Sequence, residues 1–213
     1  MDFNPVVVDL SHFDDVQNWD KVKAFGILGV INKATEGRGL ADRTYPIRRR
    51  PTRDRGILYG AYHFIRRGDP VAQADHFLDV ALDVDKPEEL LLALDHEDRR
   101  VPLDNAKQFL KRVFDKTGKM PVLYSGFLIK EQLGQGHDDF LARHRLWLSH
   151  FSSEPVSPPN WPNPFFIQFT GDGIGPGPHQ VPGIVVDGGI DLNHFGGSAQ
   201  ELKAQWAGEM AMA

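Results

Sequence analysis

Eight short apolar runs rich in β-branched or aromatic residues punctuate the chain: Val6 to Leu10, Ile27 to Asn32, Leu58 to Phe64, Leu90 to Asp95, Pro121 to Ser125, Leu146 to Ser149, Phe165 to Phe169 and Ile184 to Leu192. Helical patterns lie between the early ones. Val71, Ala74, Phe77, Leu78, Ala81 and Leu82 recur at helix spacing behind Asp69 as a cap and Pro70 in the first turn. Leu103, Ala106, Phe109, Leu110, Val113 and Phe114 form a second stripe, stopped at Gly118. Shorter helices are expected at Asn18 to Phe25, Arg43 to Arg55, Phe127 to Leu133 and Ala199 to Trp206. Strands alternating with helices imply a parallel sheet with right-handed crossovers, and eight of them invite a closed α/β barrel. The alternation stops after the fifth strand, where Pro- and Gly-rich stretches such as Ser152 to Pro164 and Gly171 to Gly183 join the last three runs. The expectation is one domain over residues 1–213, with a core of about 5–206, and a barrel of eight strands with fewer than eight helices. At 213 residues the chain is short for eight full β/α units, for which ~250 is typical.

Composition narrows the chemistry. With no cysteine there is no disulfide, thiolate metal site or thiol nucleophile. A net charge of −5 argues against a chain whose main business is nucleic acid. The longest unbroken apolar run, Leu90 to Leu94, is far short of the ~20 residues of a membrane span. Near the start, the run Val6-Val7-Val8 is flanked by acids where a signal peptide would carry lysines, so synthesis in the cytoplasm without a signal peptide is expected.

In a parallel barrel the carboxyl ends of the strands gather round one mouth. Asp9 ends the first strand, Lys33 and Glu36 follow the second, Tyr62-His63-Phe64 end the third and Asp95-His96-Glu97 the fourth. The later strands contribute Tyr124 and Ser125, then Trp147, then Gln168, then Asp187 and Asp191. In an extended strand residues i and i+2 point the same way, roughly 6.5–7 Å apart, so Asp95 and Glu97 face one space while His96 faces away. Two acids so placed do not both ionise easily, which keeps one protonated near neutrality and able to donate to a leaving group. That is the arrangement glycoside hydrolysis needs.

Other readings stand beside it. An Asp-x-Glu pair at a strand end is often a solvated loop start or a cap. Asp9, Asp95, Glu97 and Asp191, with His96 or His63, are also the oxygen and nitrogen ligands a hard divalent cation would take, as in a metal-dependent hydrolase. A catalytically silent sugar-binding module would keep the same groove. The convergence of acids with Tyr62, Phe64, Tyr124, Trp147 and Gln168 favours a sugar substrate, because sugar rings need stacking faces and many hydrogen-bond partners.

Nine segments in order make the resemblance specific: Val8-Asp9-Leu10-Ser11-His12, Ile31-Asn32-Lys33-Ala34-Thr35-Glu36-Gly37, Gly60-Ala61-Tyr62-His63-Phe64, Gln73-Ala74-Asp75-His76-Phe77, Leu94-Asp95-His96-Glu97, Pro121-Val122-Leu123-Tyr124-Ser125, Leu146-Trp147-Leu148, Gln168-Phe169-Thr170 and Ile190-Asp191-Leu192-Asn193. The chain resembles the family 25 glycoside hydrolases, lysozymes or N-acetylmuramidases of phage, bacterial and fungal origin. The resemblance implies a flattened, irregular TIM-like barrel and cleavage of the β-1,4 bond between N-acetylmuramic acid and N-acetylglucosamine in peptidoglycan. It implies Glu97 as general acid, Asp95 as its carboxylate partner, and Asp9 and Asp191 as further acids of the site. Tyr62, Tyr124, Trp147 and Gln168 match positions lining the groove, to which Phe64, Lys33 and Glu36 are added as substrate-binding candidates. No cofactor and no metal are implied, and a monomer acting on glycan strands is expected, without nucleic acid or membrane insertion. An endolysin released by a holin or an effector delivered by a secretion machine fits such a chain. Three positions depart from the family pattern: His96 stands between the acids where an aliphatic residue is usual, Asp14 where an amide is common, and Ile167 in place of a Trp. Pointing into the barrel wall, His96 would need a hydrogen-bond partner or a loosened strand end.

Several features carry less. Gly171 to Pro178 looks like a phosphate cradle, yet its prolines lack N–H groups and no helix follows. Arg43, Arg48, Arg49, Arg50, Arg53 and Arg55 read as a solvated helix face rather than an anion-binding patch. The remaining histidines have no ligand spacing, and Ser11 and Ser125 lack a relay in sequence.

Overall fold

The computed structural model describes residues 3–207; the ends of the expected domain, 1–2 and 208–213, lie outside the described residues. Seven parallel strands run in chain order: β1 (Pro5–Leu10), β3 (Gly29–Glu36), β5 (Leu58–Phe64), β6 (Leu91–Asp95), β7 (Val122–Ser125), β8 (Leu146–Ser149) and β9 (Phe166–Thr170). A short eighth strand, β11 (Leu192–His194), closes the barrel antiparallel to both β9 and β1. Two small pairings decorate it: β4 (Leu40–Ala41) folds back on β3, and β2 (Asp15–Val16) pairs with β10 (Ile184–Val185).

The expected last strand, Ile184 to Leu192, is therefore two pieces. Gly188 and Gly189, both at positive φ, break it, and only the part after Asp191 joins the barrel, in the opposite direction to the other seven. The second strand is longer than its apolar run, because Lys33 to Glu36 continue it with a bulge between Lys33 and Thr35. The bulge inserts one residue, so Lys33 pairs with Tyr62 and Glu36 with Phe64, and two side chains three apart both face the mouth.

The helices are α1 (Trp19–Phe25), α2 (Thr44–Arg53), α3 (Pro70–Ala81), α4 (Leu103–Thr117), α5 (Phe127–Leu133), the single turn α6 (Asp139–Ala142) and α7 (Ala199–Gln205). Asp69 caps α3 by accepting from Val71 N and Ala72 N, and Gly118 at φ 69 ends α4, as their sequences predict. Neither the 150–165 connection nor the 171–191 connection contains a helix. α6 and a 3₁₀ turn at Pro87–Glu89 are too short to show a period in sequence.

Both faces of the barrel strands are buried, which is why they read as continuous apolar runs. Val8, Val30, Leu92, Leu94, Leu123 and Leu148 pack outward against helix residues such as Phe77, Phe109 and Leu110. Each such side chain contributes about 1.5–3 kcal/mol by leaving water. Val7, Ile31, Leu91, Ala93, Val122, Trp147 and Phe166 fill the interior, and Trp206, following α7, plugs the end opposite the mouth. A Cβ on Gly29 would stand 2.6 Å from the Trp206 ring, so glycine there admits the plug, and Trp206 Nε1 donates to the Tyr59 carbonyl at 2.9 Å.

The arginine-rich segment differs from a solvated face. Arg48 is buried and donates to the Ser11 and Asp14 carbonyls and to Asn32 Oδ1, pinning the loop after β1. Arg49 and Arg53 pair with Asp85, and Arg55 grips Asp20 through two nitrogens. The charged periodicity belongs to a scaffold of ion pairs. Among the described residues no helix is long and apolar enough to cross a membrane.

Candidate active site

Asp9, Asp95, Glu97 and Asp191 come from β1, β6 and the approach to β11, and they meet at the carboxyl-end mouth together with Tyr62 of β5. The Tyr62 phenol feels the charges of Asp95, Asp9, Asp14 and Asp191, and burial lifts its pKa well above the usual tyrosine value.

Asp9 is 8% exposed and tightly held. Gln168 Nε2 donates to its two oxygens at 3.2 and 3.1 Å, and Asn193 Nδ2 donates to Oδ2 at 2.8 Å. Burial pushes its pKa up to about 7 against the pull of these amides. The holders are themselves held: Tyr124 Oη donates to Gln168 Oε1 at 2.8 Å, and Trp147 Nε1 donates to Asn193 Oδ1 at 2.5 Å. Tyr124 and Trp147 meet edge to face at 4.7 Å between centroids. Trp147 is only 2% exposed, so it forms the floor of the site, while Tyr62 and Phe64 remain half-buried and present open ring surface.

Asp95 is 7% exposed and its Oδ1 has no hydrogen-bond partner. Burial, and then the charge of Glu97, raise its pKa well above the usual carboxylate range. Glu97 itself is open to solvent at the mouth, yet enough protein surrounds its carboxyl to raise its pKa, with the Lys33 and Arg66 charges opposing. Asp191 is half-buried and pushed up to about 9 by burial and by the charges of Asp9 and Asp172.

Lys33 and Glu36 form an ion pair above the bulge. Arg66 extends it, with Nη2 2.6 Å from Glu36 Oε1 and Nη1 3.2 Å from Asp98 Oδ2. Phe64 lies between Lys33 and Arg66, whose charged ends stand 5.0 and 4.3 Å from the ring centroid. Of the two outward histidines, His96 lies in the wall with Nε2 2.8 Å from Gln132 Oε1 on α5, while its buried Nδ1 has no hydrogen-bond partner. His63 is sealed between Thr35 Oγ1 at 2.7 Å and Gln73 Oε1 at 3.3 Å and stacks on Phe109; burial drives its pKa down to about 3. Asp187 belongs to the loop before β11, outside the barrel strands. Among the described residues no three His, Asp or Glu side chains converge to hold a metal ion.

One cavity reaches the acids and another opens by the loop after β1. One of about 490 Å³ is lined by Glu97, Phe127, Ser149, His150 and Ile174, and one of about 530 Å³ by Phe13, Asp14, Trp19, Arg43 and Ile47. Larger cavities, of about 580 and 570 Å³, open elsewhere, beside residues of α7, away from these carboxylates. Sequence reasoning gave no site role to Arg66, to Asn193 in the segment Ile190-Asp191-Leu192-Asn193, or to Gly171 at the start of the loop to Pro178. Asn193 was findable, since it stands two residues beyond Asp191. A Cβ on Gly171 would overlap Asp191 Oδ1 and come within 2.7 Å of the Phe151 ring, a constraint invisible before folding.

A closed β/α barrel whose mouth carries crowded, proton-retaining carboxylates over an aromatic floor defines a glycosidase of the acid-assisted type. The chain belongs to family 25 of the glycosyl hydrolases, whose family model matches residues 8–178. It is 27% identical to Lysozyme M1 of Streptomyces globisporus over 92% of this chain and 69% of that protein. Its fold superposes on the bacterial lysozyme from Streptomyces coelicolor with a TM-score of 0.82 at 27% identity, covering 97% of this chain and 99% of the other. A muramidase from Trichobolus zukalii gives 0.75 at 25% identity, over 95% and 98% of the two chains.

Proposed function

We propose that the protein is a muramidase that hydrolyses the β-1,4 bond between N-acetylmuramic acid and N-acetylglucosamine in peptidoglycan. The carrying observation is the pair at the end of β6: Glu97, two residues past the strand, solvent-reaching and with a raised pKa, beside Asp95, buried and with one carboxyl oxygen free of partners. Glu97 protonates the glycosidic oxygen as the bond to C1 breaks and is left ionised beside the ring on which positive charge develops, with Asp95 next to it in the floor of the mouth. Asp9 and Asp191 orient the reacting sugar, with Tyr62 and Phe64 against its faces and Tyr124, Trp147 and Gln168 fixing the floor. Lys33 and Glu36 shape the edge beside Asp95. A water then adds at C1 and gives its proton to Glu97. The names of Lysozyme M1 and of the muramidase neighbour support the choice of bond. In this reading residues 1–213 form one catalytic domain that acts as a monomer, reaching the wall through a holin-type pore or a secretion machine.

Mass spectrometry of borohydride-reduced digestion products tests it. Reduced muramic acid at the new ends is expected. Reduced glucosamine ends, or peptides released without new reducing sugar, would contradict it.

A further inference from the structure

The cavity of about 530 Å³ by the loop after β1 has no part in the bond cleavage described above. Its walls join His12 and Phe13 of that loop to Trp19 of α1 and to Arg43 and Ile47 at the start of α2. Two apolar side chains there stand open to water: Phe13 is 76% exposed, the most of any large apolar residue described, and Ile47 is 69% exposed. Apolar surface gathered in one concavity marks a binding place, where apolar side chains scattered singly do not.

Most polar groups of the cavity are already engaged. Arg48 donates to main-chain carbonyls and Asn32, Asp14 accepts from Ser11 N at 2.7 Å, and Asp15 accepts from Gln17 Nε2 at 3.1 Å. Arg43 is not: it is exposed and has no ion-pair partner among the described residues. His12 is held in one orientation, because its main-chain N and its Nδ1 each lie 2.9 Å from Oδ2 of the buried Asp42. The ring therefore donates through Nδ1 and keeps Nε2 as an acceptor. A guanidinium suits a carboxylate, an imidazole acceptor suits an amide N–H, and the apolar faces suit side chains, which together describe an acidic peptide.

N-acetylglucosamine is neutral, whereas muramic acid carries on its lactyl group a short peptide that bears carboxylates. The cavity lies within reach of that peptide. Asp9, which orients the reacting sugar, precedes Phe13 by four residues, so the two are at most about 14 Å apart. An extended stem of about four residues covers the same span.

Resting on the muramidase reading, we propose that this cavity binds the acidic peptide stem of the muramic acid unit being cut, with a stem carboxylate on Arg43, a stem N–H on His12 Nε2, and stem side chains against Phe13 and Ile47. An exposed charge pair joined to apolar contact corresponds to a preference of roughly three- to tenfold for strands that carry stems, weakened by salt.

The test uses soluble, uncross-linked glycan strands from one peptidoglycan preparation, half left with their stems and half stripped by an amidase that cuts the lactyl amide. At low salt, kcat/KM for reducing-end release is measured on each for wild type and for the double variant Phe13→Ala, Arg43→Gln. Both side chains are exposed, so the double variant should fold and should cleave stripped strands like wild type. Wild type should favour stem-bearing strands roughly three- to tenfold, and the double variant should bring the ratio close to one. Cleavage of stem-bearing strands by wild type no faster than of stripped ones, or a preference that survives in the double variant, would overturn the proposal. An equal loss on both substrates would overturn it too, by marking the cavity as a place for sugar. Release from neither substrate by wild type would overturn the muramidase reading, and the stem site with it.

Discussion

Asn193 holds Asp9 across the seam of the barrel: its Nδ2 lies 2.8 Å from Asp9 Oδ2 and 3.2 Å from the Val7 carbonyl, while its Oδ1 accepts from Trp147. One amide thus joins the antiparallel closing strand to the first strand and to the aromatic floor. Asn193→Ala would leave the buried Trp147 Nε1–H without its acceptor, at about 1–3 kcal/mol for a group left unsatisfied, and would take one donor each from Asp9 and from the Val7 carbonyl. Urea unfolding should show a clear loss of stability together with a loss of turnover. A variant as stable as wild type would show that the seam does not depend on this residue.

Asp191 gives the alkaline side of the stability profile. Its ordinary pKa is 3.8 and its folded value about 9, so between these the folded chain keeps a proton that the unfolded chain has released. Stability therefore falls as pH rises through this window and levels off above about 9. Thermal melts of wild type between pH 7 and 9 should show a falling midpoint, and Asp191→Asn should flatten that fall. An unchanged slope in the variant would place the titration elsewhere.

His63 acts on the acid side. Its folded pKa, about 3, lies below the ordinary 6.5, so the unfolded chain gains a proton first as pH drops. Stability from this group is present above about 6.5 and is lost as pH falls toward 3. His63→Gln should reduce the acid sensitivity of the midpoint between pH 6.5 and 4. If the two proteins lose stability in parallel there, His63 is not a source of it.

Gly171 leaves room for the Asp191 carboxylate, and an added Cβ would press on it and on Phe151. Gly171→Ala should cost about 1–3 kcal/mol as an overpacked site and lower turnover by displacing Asp191. Activity and unfolding measured on the same preparation would reveal a neutral change, which would contradict the contact.

Much of this was legible in sequence for a physical reason. Strands buried on both faces, such as 91–95, read as unbroken apolar runs, and the i, i+2 rule put Asp95 and Glu97 on one side before any fold was known. The closing strand was not legible as placed. It has three residues, follows a glycine pair, and owes its direction to partners far away in the chain. The shared face of Lys33 and Glu36 depends on a bulge, and three-residue spacing alone puts them on opposite sides of a strand. Arg48 misled because a buried cation bonded to carbonyls has the same sequence signature as a solvated one.

The central claim is that Glu97 supplies the proton for glycosidic cleavage. It is tested most directly by initial rates of reducing-end release from peptidoglycan for wild type and Glu97→Gln, with melting curves of both. The side chain is solvent-reaching, so the variant should melt like wild type while its rate falls by about 10²–10⁴-fold or more. A Glu97→Gln protein that cleaves within a few-fold of wild type would contradict the account.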